Sequence, residues 1–442
     1  MPLPDWWAAV QDTMTAHQAN NAANLPGATF GVETTAGRRV GSVGPGWQRT
    51  TICEIGSMTK SFLSAALLQL LEERHMLNIE QPVWRLPGMG LYAEHPIGKH
   101  IRLRHLLQHT SGLPHFMHRS EWPRTPCNDP EARALDGFAP RRDLGPTSDW
   151  IGAPALTNEL MLADSACQPA RQLTLDQVSA YVMRTYPITA DPPPGTRYSY
   201  STVNYVLVGR ILEELTGQSV NRVIKERLFE PLAMRDSFFI AHPTGDADVD
   251  AWMDDGVTDE QRARIAALTL ITRDGHLPVE MASTASGGWD QLRRGWRLVN
   301  PDGGMYSTVD DLLNFLAMLR DGGAFDSRRV LSTRVVRLLV EDQGFGHTMG
   351  FGFRTQQTPY GQGAGTVEHL GFKMTYFWYE PHLEHPLVGV FLSQRLANVA
   401  VNTNLGDGMH VIFRVFVPAV RSGFPWSAAG QPALSNIGGA DP

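Results

Sequence analysis

Segments with strand-forming composition lie near both ends of this 442-residue chain, and most of the sequence between them has helical patterning. Near the N-terminus, 28–32 and 39–43 flank a glycine-containing turn, which predicts a hairpin. Four further strand-like segments lie between 349 and 393. Because a sheet and its covering helices share one core, we expect the two ends to form one α/β domain, into which a helical subdomain is inserted.

The boundaries of this organisation follow from where the pattern changes. Residues 1–75 and 300–422 are predicted to form the α/β domain, and 76–299 the mainly helical subdomain. Residues 115–170 show weak periodicity and form a long insertion, which is typical of a functional or mobile segment. The Pro-, Gly- and Ala-rich residues 423–442 are predicted to be a flexible tail.

Composition and charge narrow the classes of function. The net charge of −7 does not indicate the basic surface that nucleic-acid binding requires. No apolar run reaches membrane-spanning length. The three cysteines, Cys53, Cys127 and Cys167, lack metal-ligand spacing, so we expect no metal site and a reducing compartment. The N-terminus has neither the basic nor the apolar region of a secretory signal. The expected location is the cytoplasm, and the oligomeric state is left open.

The candidate chemistry centres on Ser57-Met58-Thr59-Lys60, which follows a β-prone segment and begins an apolar helical run. A Ser and a Lys three residues apart share one face of a first helical turn. One interpretation is an ordinary helix start, with a capping serine and a surface lysine. The other is a nucleophile, Ser57, whose proton is taken by Lys60, since burial lowers the pKa of a lysine enough for it to act as a base.

Two further stretches carry candidate site residues. Tyr200 precedes the predicted helix 205–216, where it is either a packing residue or a phenol that relays a proton to a leaving group. His369 and Gly371 lie on a predicted C-terminal strand, where the histidine is either structural or part of an H-x-G edge beside the nucleophile. In the second case the strand supplies a backbone N–H to an oxyanion hole, and the glycine lets the substrate approach closely.

Together these stretches resemble the serine β-lactamase and penicillin-binding-protein superfamily, in particular its class C-like branch of family VIII carboxylesterases and D-aminopeptidases. The similar segments follow the family's order over about 25–415, and they are Ile55 to Phe62, Leu103 to Pro114, Pro194 to Gly209, Gly303 to Leu312, Gly350 to Phe353 and His369 to Gly371. The resemblance implies a β-lactamase-like fold of the α/β (α+β) class, with an antiparallel sheet flanked by helices.

The resemblance also implies a role for each matching residue. Ser57 corresponds to the acylated nucleophile, Lys60 to the base that activates it, and Tyr200 to the tyrosine that shares in proton transfer. His369-Leu370-Gly371 corresponds to the family's third motif. The oxyanion hole is then expected from the backbone N–H groups of Ser57 and Phe372. The family implies no metal and no organic cofactor.

Two positions depart from the family pattern. The asparagine of the family's Y-x-N motif is Thr202 here, so the usual amide contact to a substrate carbonyl is lost unless Asn204 supplies it. His369 stands where β-lactamases carry a lysine, which removes a fixed positive charge towards a substrate carboxylate. Both departures favour a neutral ester or amide over a β-lactam. The long insertion is either a tolerated surface segment or a lid in which Phe116, Trp122 or Trp150 shapes an apolar substrate pocket.

The sequence therefore predicts a serine hydrolase that cleaves a small-molecule carboxylic ester through a Ser57 acyl-enzyme. An amidase or D-aminopeptidase, or an acyltransferase, would use the same acyl-enzyme and remains an alternative. A β-lactamase or a non-catalytic ligand-binding relative is favoured less by these residues.

Overall fold

The computed structural model describes residues 6–22, 25–113, 117–118, 150–151, 175–185, 193–240, 247, 257–272, 275–279, 299, 301–350, 353–354, 365–371, 373–381, 386–397 and 411–423. In chain order its α-helices are α1 Trp6–Asn20, α2 Thr59–Glu73, α3 Leu103–Leu107, α4 Leu175–Thr185, α5 Val203–Thr216, α6 Val220–Ile224, α7 Asp259–Ala263, α8 Val309–Arg320, α9 Thr333–Val340 and α10 Val417–Ser422. None of the helices in these ranges has the length and apolar character needed to cross a membrane.

The strands are short, and six of them form one large sheet. In chain order they are β1 Ala28–Thr34, β2 Gly37–Val43, β3 Cys53–Glu54, β4 Met117–His118, β5 Trp150–Ile151, β6 Phe238–Phe239, β7 Leu268–Thr272, β8 Gly275–Val279, β9 Met305–Ser307, β10 Ala324–Phe325, β11 Arg328–Arg329, β12 Phe353–Arg354, β13 Val367–Gly371, β14 Thr375–Glu380, β15 Leu387–Leu392 and β16 Arg395–Ala397. The large sheet has the order β12-β13-β14-β15-β1-β2, and its neighbouring strands are antiparallel.

The large sheet joins the two ends of the chain. The N-terminal hairpin β1–β2 enters it through β1, which pairs with β15 so that Phe30 lies opposite Phe391. Strands from the N-terminal and C-terminal segments therefore share one antiparallel sheet. The fold class predicted from the sequence is confirmed.

Helices cover both faces of this sheet, which explains why its middle strands β14 and β15 are buried throughout. All residues of β15 are buried. Val388 and Val390 pack in the core that contains α2 and α8, whereas Leu387 and Phe391 pack in the core that contains α1 and α10. Alternate residues of a strand point to opposite faces, so β15 lies between two helical layers.

The packing of α2 against α5 brings the two main motifs together. Ser57 lies just before α2, and Tyr200 lies just before α5. Inside these helices the hydroxyls of Ser64 and Tyr205 share a hydrogen bond of 3.0 Å, and both residues are buried. The helix α5 ends at Gly217, whose φ of +69° is a left-handed conformation that glycine adopts with little strain. The two helices thus bring both candidate residues to one place.

The structure differs from the sequence prediction in several elements. The pattern does not predict the β7–β8 hairpin or α9. The segment 76–299, which is predicted to be mainly helical, also contains strands. Two of them pair with C-terminal strands, β6 with β9 and β7 with β16. The helix α6 continues into a π-helical turn, Lys225–Phe229. Of the tail 423–442, only its first residue is described, and the division into domains stays a prediction.

Candidate active site

Ser57 lies in a 3-10 turn, Gly56–Met58, that leads directly into α2. The chain enters this turn through Gly56 with a φ of +58°, which costs a glycine little. The Thr59 hydroxyl donates to the Gly56 carbonyl at 2.7 Å and accepts from the backbone N–H of Met305 at 3.2 Å. These bonds fix the turn between β9 and the first residues of α2.

Lys60 is completely buried and lies one helical turn after Ser57. Its Nζ donates to Ser57 Oγ at 3.1 Å and to the backbone carbonyl of Asp302 at 2.5 Å, while an Asp302 carboxylate oxygen lies 3.6 Å away. Burial lowers the pKa of Lys60 to about 8, because the loss of hydration outweighs the attraction of the Asp302 charge. The interpretation of Lys60 as a surface lysine is wrong, since the side chain is placed to accept the serine proton.

Tyr200 completes the group around the serine hydroxyl. Its phenol is hydrogen bonded to Ser57, and its ring centroid lies 5.2 Å from Lys60 Nζ. Burial raises the pKa of Tyr200 above its ordinary value, and the Asp302 charge adds to this effect, although the bond with Ser57 opposes it. The phenol therefore keeps its proton near neutral pH. It can relay a proton, but it cannot serve as a tyrosinate base there.

His369 lies on β13, which packs against the turn that holds Ser57. The side chain is buried, and its Nδ1 lies 2.8 Å from the Leu370 carbonyl oxygen. A carbonyl only accepts, so Nδ1 carries the proton in this contact. Burial, followed by the charge of Lys60, lowers the pKa of His369 to about 3. The imidazole is therefore neutral near pH 7 and brings no positive charge to this position.

Gly371 lies against the backbone that precedes Ser57. A Cβ at this position would overlap the Ile55 carbonyl oxygen and the Thr375 hydroxyl. The Thr375 hydroxyl donates a hydrogen bond to this carbonyl at 2.8 Å. Glycine is required because β13 packs directly on the segment that enters the nucleophile turn. The sequence-based reason for this glycine was room for the substrate, whereas the described contacts show packing within the protein.

Asn204 does not replace the missing motif asparagine. The residue is fully buried in the first turn of α5. Its Oδ1 accepts from Ser111 Oγ at 2.6 Å, and its Nδ2 lies 3.4 Å from His109 Nδ1. Both ends of the carboxamide are used inside the protein, so the substrate contact expected of Asn204 is not supported. Thr202, at the motif position itself, is also buried.

The other predicted binding residues have no described side chains. Phe372, Phe116 and Trp122 lie outside the described residues. Trp150 lies on β5, which pairs with β4, and the description covers its backbone alone. The second oxyanion donor and the aromatic pocket therefore stay predictions.

Two residues at the site are not singled out by the sequence. Asp302 contacts Lys60, and His109 stacks on Tyr200 with ring centroids 4.3 Å apart. In the sequence, Asp302 directly precedes Gly303-Gly304, and His109 lies within Leu103 to Pro114, one of the segments similar to the family. These positions could have pointed to both residues. In the part of the chain that the structure describes, no group of three or more His, Cys, Asp or Glu residues could hold a metal ion.

A serine hydroxyl bonded to a buried lysine and a phenol, beside an antiparallel sheet built from both chain ends, defines the class of β-lactamase-like proteins. The chain belongs to the Beta-lactamase family, whose model matches residues 10–407. Over 165 residues it is 30% identical to "Penicillin-binding protein 4" of Amycolatopsis lactamdurans, which covers 37% of each chain. The chain covers 35% and 58% of the length of two further curated relatives that it matches.

Solved structures share the fold over nearly the whole chain. EstCE1, described as a hydrolase with promiscuous acyltransferase activity, matches with a TM-score of 0.63 and 18% identity, over 95% of this chain and 98% of its own. The D-amino acid amidase of Ochrobactrum anthropi SV3 matches with a TM-score of 0.60 and 17% identity, over 95% of this chain and 99% of its own. At these identities the likeness concerns the fold.

Proposed function

We propose that this protein is a serine hydrolase that cleaves a carboxylic ester through an acyl-enzyme on Ser57. The observation that carries the proposal is the buried Lys60, which is bonded to Ser57 Oγ and has its pKa lowered to about 8. Burying an ammonium group is costly, and a serine that merely began a helix would need no such partner. Membership of the Beta-lactamase family supports the same reading.

The proton path follows from the two pKa directions. Neutral Lys60 takes the proton of Ser57 as the serine oxygen attacks the ester carbonyl, which gives a tetrahedral intermediate. When the bond to the alcohol breaks, Tyr200 gives its proton to the departing oxygen and is reprotonated by the Lys60 ammonium. Water then attacks the acyl-enzyme carbonyl and gives a proton to Lys60, and Lys60 passes this proton to the Ser57 oxygen as its bond to the acyl carbon breaks and the carboxylic acid is released. The path needs no tyrosinate, in agreement with the raised pKa of Tyr200.

The charges at the site favour a neutral substrate. His369 is neutral, and the carboxamide of Asn204 is bonded inside the protein. A β-lactam antibiotic carries a carboxylate, which a fixed cation at the third motif would bind. A matched pair of p-nitrophenyl esters, one with a neutral and one with a carboxylate-bearing acyl chain, tests this reasoning. We expect a lower kcat/KM for the anionic ester, and equal values would contradict the proposed preference.

The direct test of the acyl-enzyme uses a p-nitrophenyl ester and a serine-directed phosphonate. The wild-type protein should hydrolyse the ester and gain one phosphonate label on Ser57, located by mass spectrometry. Ser57→Ala should lose both properties, whereas Ser422→Ala, which removes an exposed hydroxyl at the end of α10, should keep them. A folded wild-type protein that takes no label would favour a non-catalytic ligand-binding relative.

An amidase, a D-aminopeptidase or an acyltransferase would use the same groups. An anilide and a chromogenic cephalosporin, assayed beside the ester, rank amide and lactam cleavage against ester cleavage. An added alcohol tests acyl transfer through the appearance of a second ester. We propose a small-molecule substrate and a cytoplasmic location, and the ester is the substrate class that the neutral site favours.

A further inference from the structure

We propose that Ser111, Asn204 and His109 form a positioning unit that holds the Tyr200 phenol against Ser57. The proposal rests on the proposed function, because it concerns the proton relay through Tyr200. The three side chains come from two separate segments, the turn that follows α3 and the first turn of α5. All three are buried.

The hydrogen bonds of this unit have a defined direction. Ser111 Oγ donates to Asn204 Oδ1 at 2.6 Å, which leaves Nδ2 of the carboxamide to face His109 Nδ1 at 3.4 Å. The same Nδ1 accepts the backbone N–H of Ser201 at 3.0 Å. A ring nitrogen that accepts from these donors carries no proton, so the proton of a neutral His109 is on Nε2. The Ser201 N–H is the shorter donor to Nδ1, and the carboxamide of Asn204 adds a second, longer contact on the same side of the ring.

His109 contacts the tyrosine segment at three points. Its ring stacks on Tyr200, with centroids 4.3 Å apart and planes 29° from parallel. Its Nδ1 accepts from Ser201, and its backbone carbonyl accepts from the N–H of Ser199 at 2.7 Å. The residues on both sides of Tyr200 are therefore bonded to the residue that also packs on its ring. One side chain and its backbone fix the position of the phenol.

The backbone of His109 supports this role. Its φ of +57° is left-handed, a conformation that non-glycine residues rarely adopt and that persists where the surrounding structure enforces it. Asparagine would fit this backbone at least as well but would lose the stacking ring. Histidine combines an acceptor for Ser201 with an aromatic face for Tyr200.

The unit also gives a function to Asn204. The carboxamide lies near the motif position at Thr202, yet it acts on Tyr200 through His109 and not on the substrate. A displacement of about 1 Å in a catalytic group costs on the order of 100-fold in rate. We therefore expect Asn204→Leu, which has a similar volume but no polar group, to lower kcat/KM about 10- to 100-fold.

A double-mutant cycle separates positioning from general stability. Asn204→Leu is made in the wild type and in Tyr200→Phe, and kcat/KM for a p-nitrophenyl ester is measured in all four proteins. If Asn204 acts through the phenol, it should cost about 10-fold or more in the wild type and less than about twofold in Tyr200→Phe. Asn314→Leu is the matched control, because it also removes two side-chain hydrogen bonds but lies away from the site. It should leave kcat/KM within about twofold of the wild type.

The outcomes distinguish this proposal from the proposed function. Equal losses from Asn204→Leu in the two backgrounds would overturn the positioning role and leave the acyl-enzyme untouched. An unimpaired Tyr200→Phe would also overturn it, since there would be no relay to position. Activity in Ser57→Ala would instead overturn the acyl-enzyme. If Asn204→Leu does not unfold cooperatively, Ser111→Ala, which removes the donor that orients the carboxamide, is carried through the same cycle and decides by the same criterion.

Discussion

Replacing Asp302 by Asn should shift the pH dependence of the reaction towards acid. In the proposed mechanism Lys60 acts as a base in its neutral form, so kcat/KM should rise with pH through the Lys60 pKa of about 8. The Asp302 carboxylate stabilises the ammonium form and thereby raises this pKa. Asp302→Asn removes the charge but keeps the backbone carbonyl that accepts from Lys60 Nζ. The midpoint of the rising limb should therefore move to lower pH.

The distance between the two charges sets the size of the shift. Lys60 Nζ and the nearer Asp302 carboxylate oxygen are 3.6 Å apart, and both side chains are buried. At this distance a pair of unit charges contributes about 1 kcal/mol in bulk water and about 4–5 kcal/mol at an effective dielectric constant of ~20. One pKa unit corresponds to about 1.4 kcal/mol, so the limb should move by about one to three units.

The assay is a pH profile of kcat/KM for a neutral p-nitrophenyl ester, measured from about pH 5 to about pH 10. Asp259→Asn is the control, since it removes the same charge from an exposed helix start. A small loss of maximal rate in Asp302→Asn would not test the role of Lys60, because only the pH midpoint of the rising limb reports the pKa of the base. A limb that stays in place, or that moves to higher pH, would refute the assignment of Lys60 as the base beside Asp302.

Two substitutions test the packing around the site. Gly371→Ala should lower the free energy of unfolding by about 1–3 kcal/mol in urea titrations, because its Cβ overlaps the Ile55 carbonyl, whereas Gly90→Ala, with open space around it, should change little. Lys373→Met should cost about 3–5 kcal/mol, because it leaves Glu54 buried without its cation, and a thermal midpoint unchanged from the wild type would contradict this.

The sequence could predict the features that depend on residue type and short spacing. Ser57 and Lys60 are three residues apart, so a helical turn necessarily brings them to one face. The hairpin β1–β2 and the C-terminal strands have β composition, and they pair in one sheet as expected. The resemblance favoured the proton-relay role over the packing role of Tyr200, whose approach to Ser57 depends on the packing of α5 against α2.

Other features depend on partners that are distant in the chain. Asp302 is 242 positions from Lys60, and no local pattern connects them. Asn204 lies close in sequence to the motif position, but its orientation is determined by Ser111, which is 93 positions away. The proximity of Asn204 to the motif suggested a substrate contact, whereas a buried hydrogen bond directs its carboxamide into the protein. The local sequence determines which helix or strand carries a side chain. The residues that pack against it from other parts of the chain determine where the side chain points.

The charges of the site connect the two departures from the family motifs. Among the described site residues, Lys60 and Asp302 carry opposite charges 3.6 Å apart, and His369 is neutral. Lys60 is the cation that the described residues place at Ser57, and a substrate carboxylate beside it would raise the pKa of the group that is proposed to act as a base. Binding and catalysis would then oppose each other. A neutral ester avoids this conflict, so a neutral His369 and an internally hydrogen-bonded Asn204 both agree with the proposed preference for uncharged substrates.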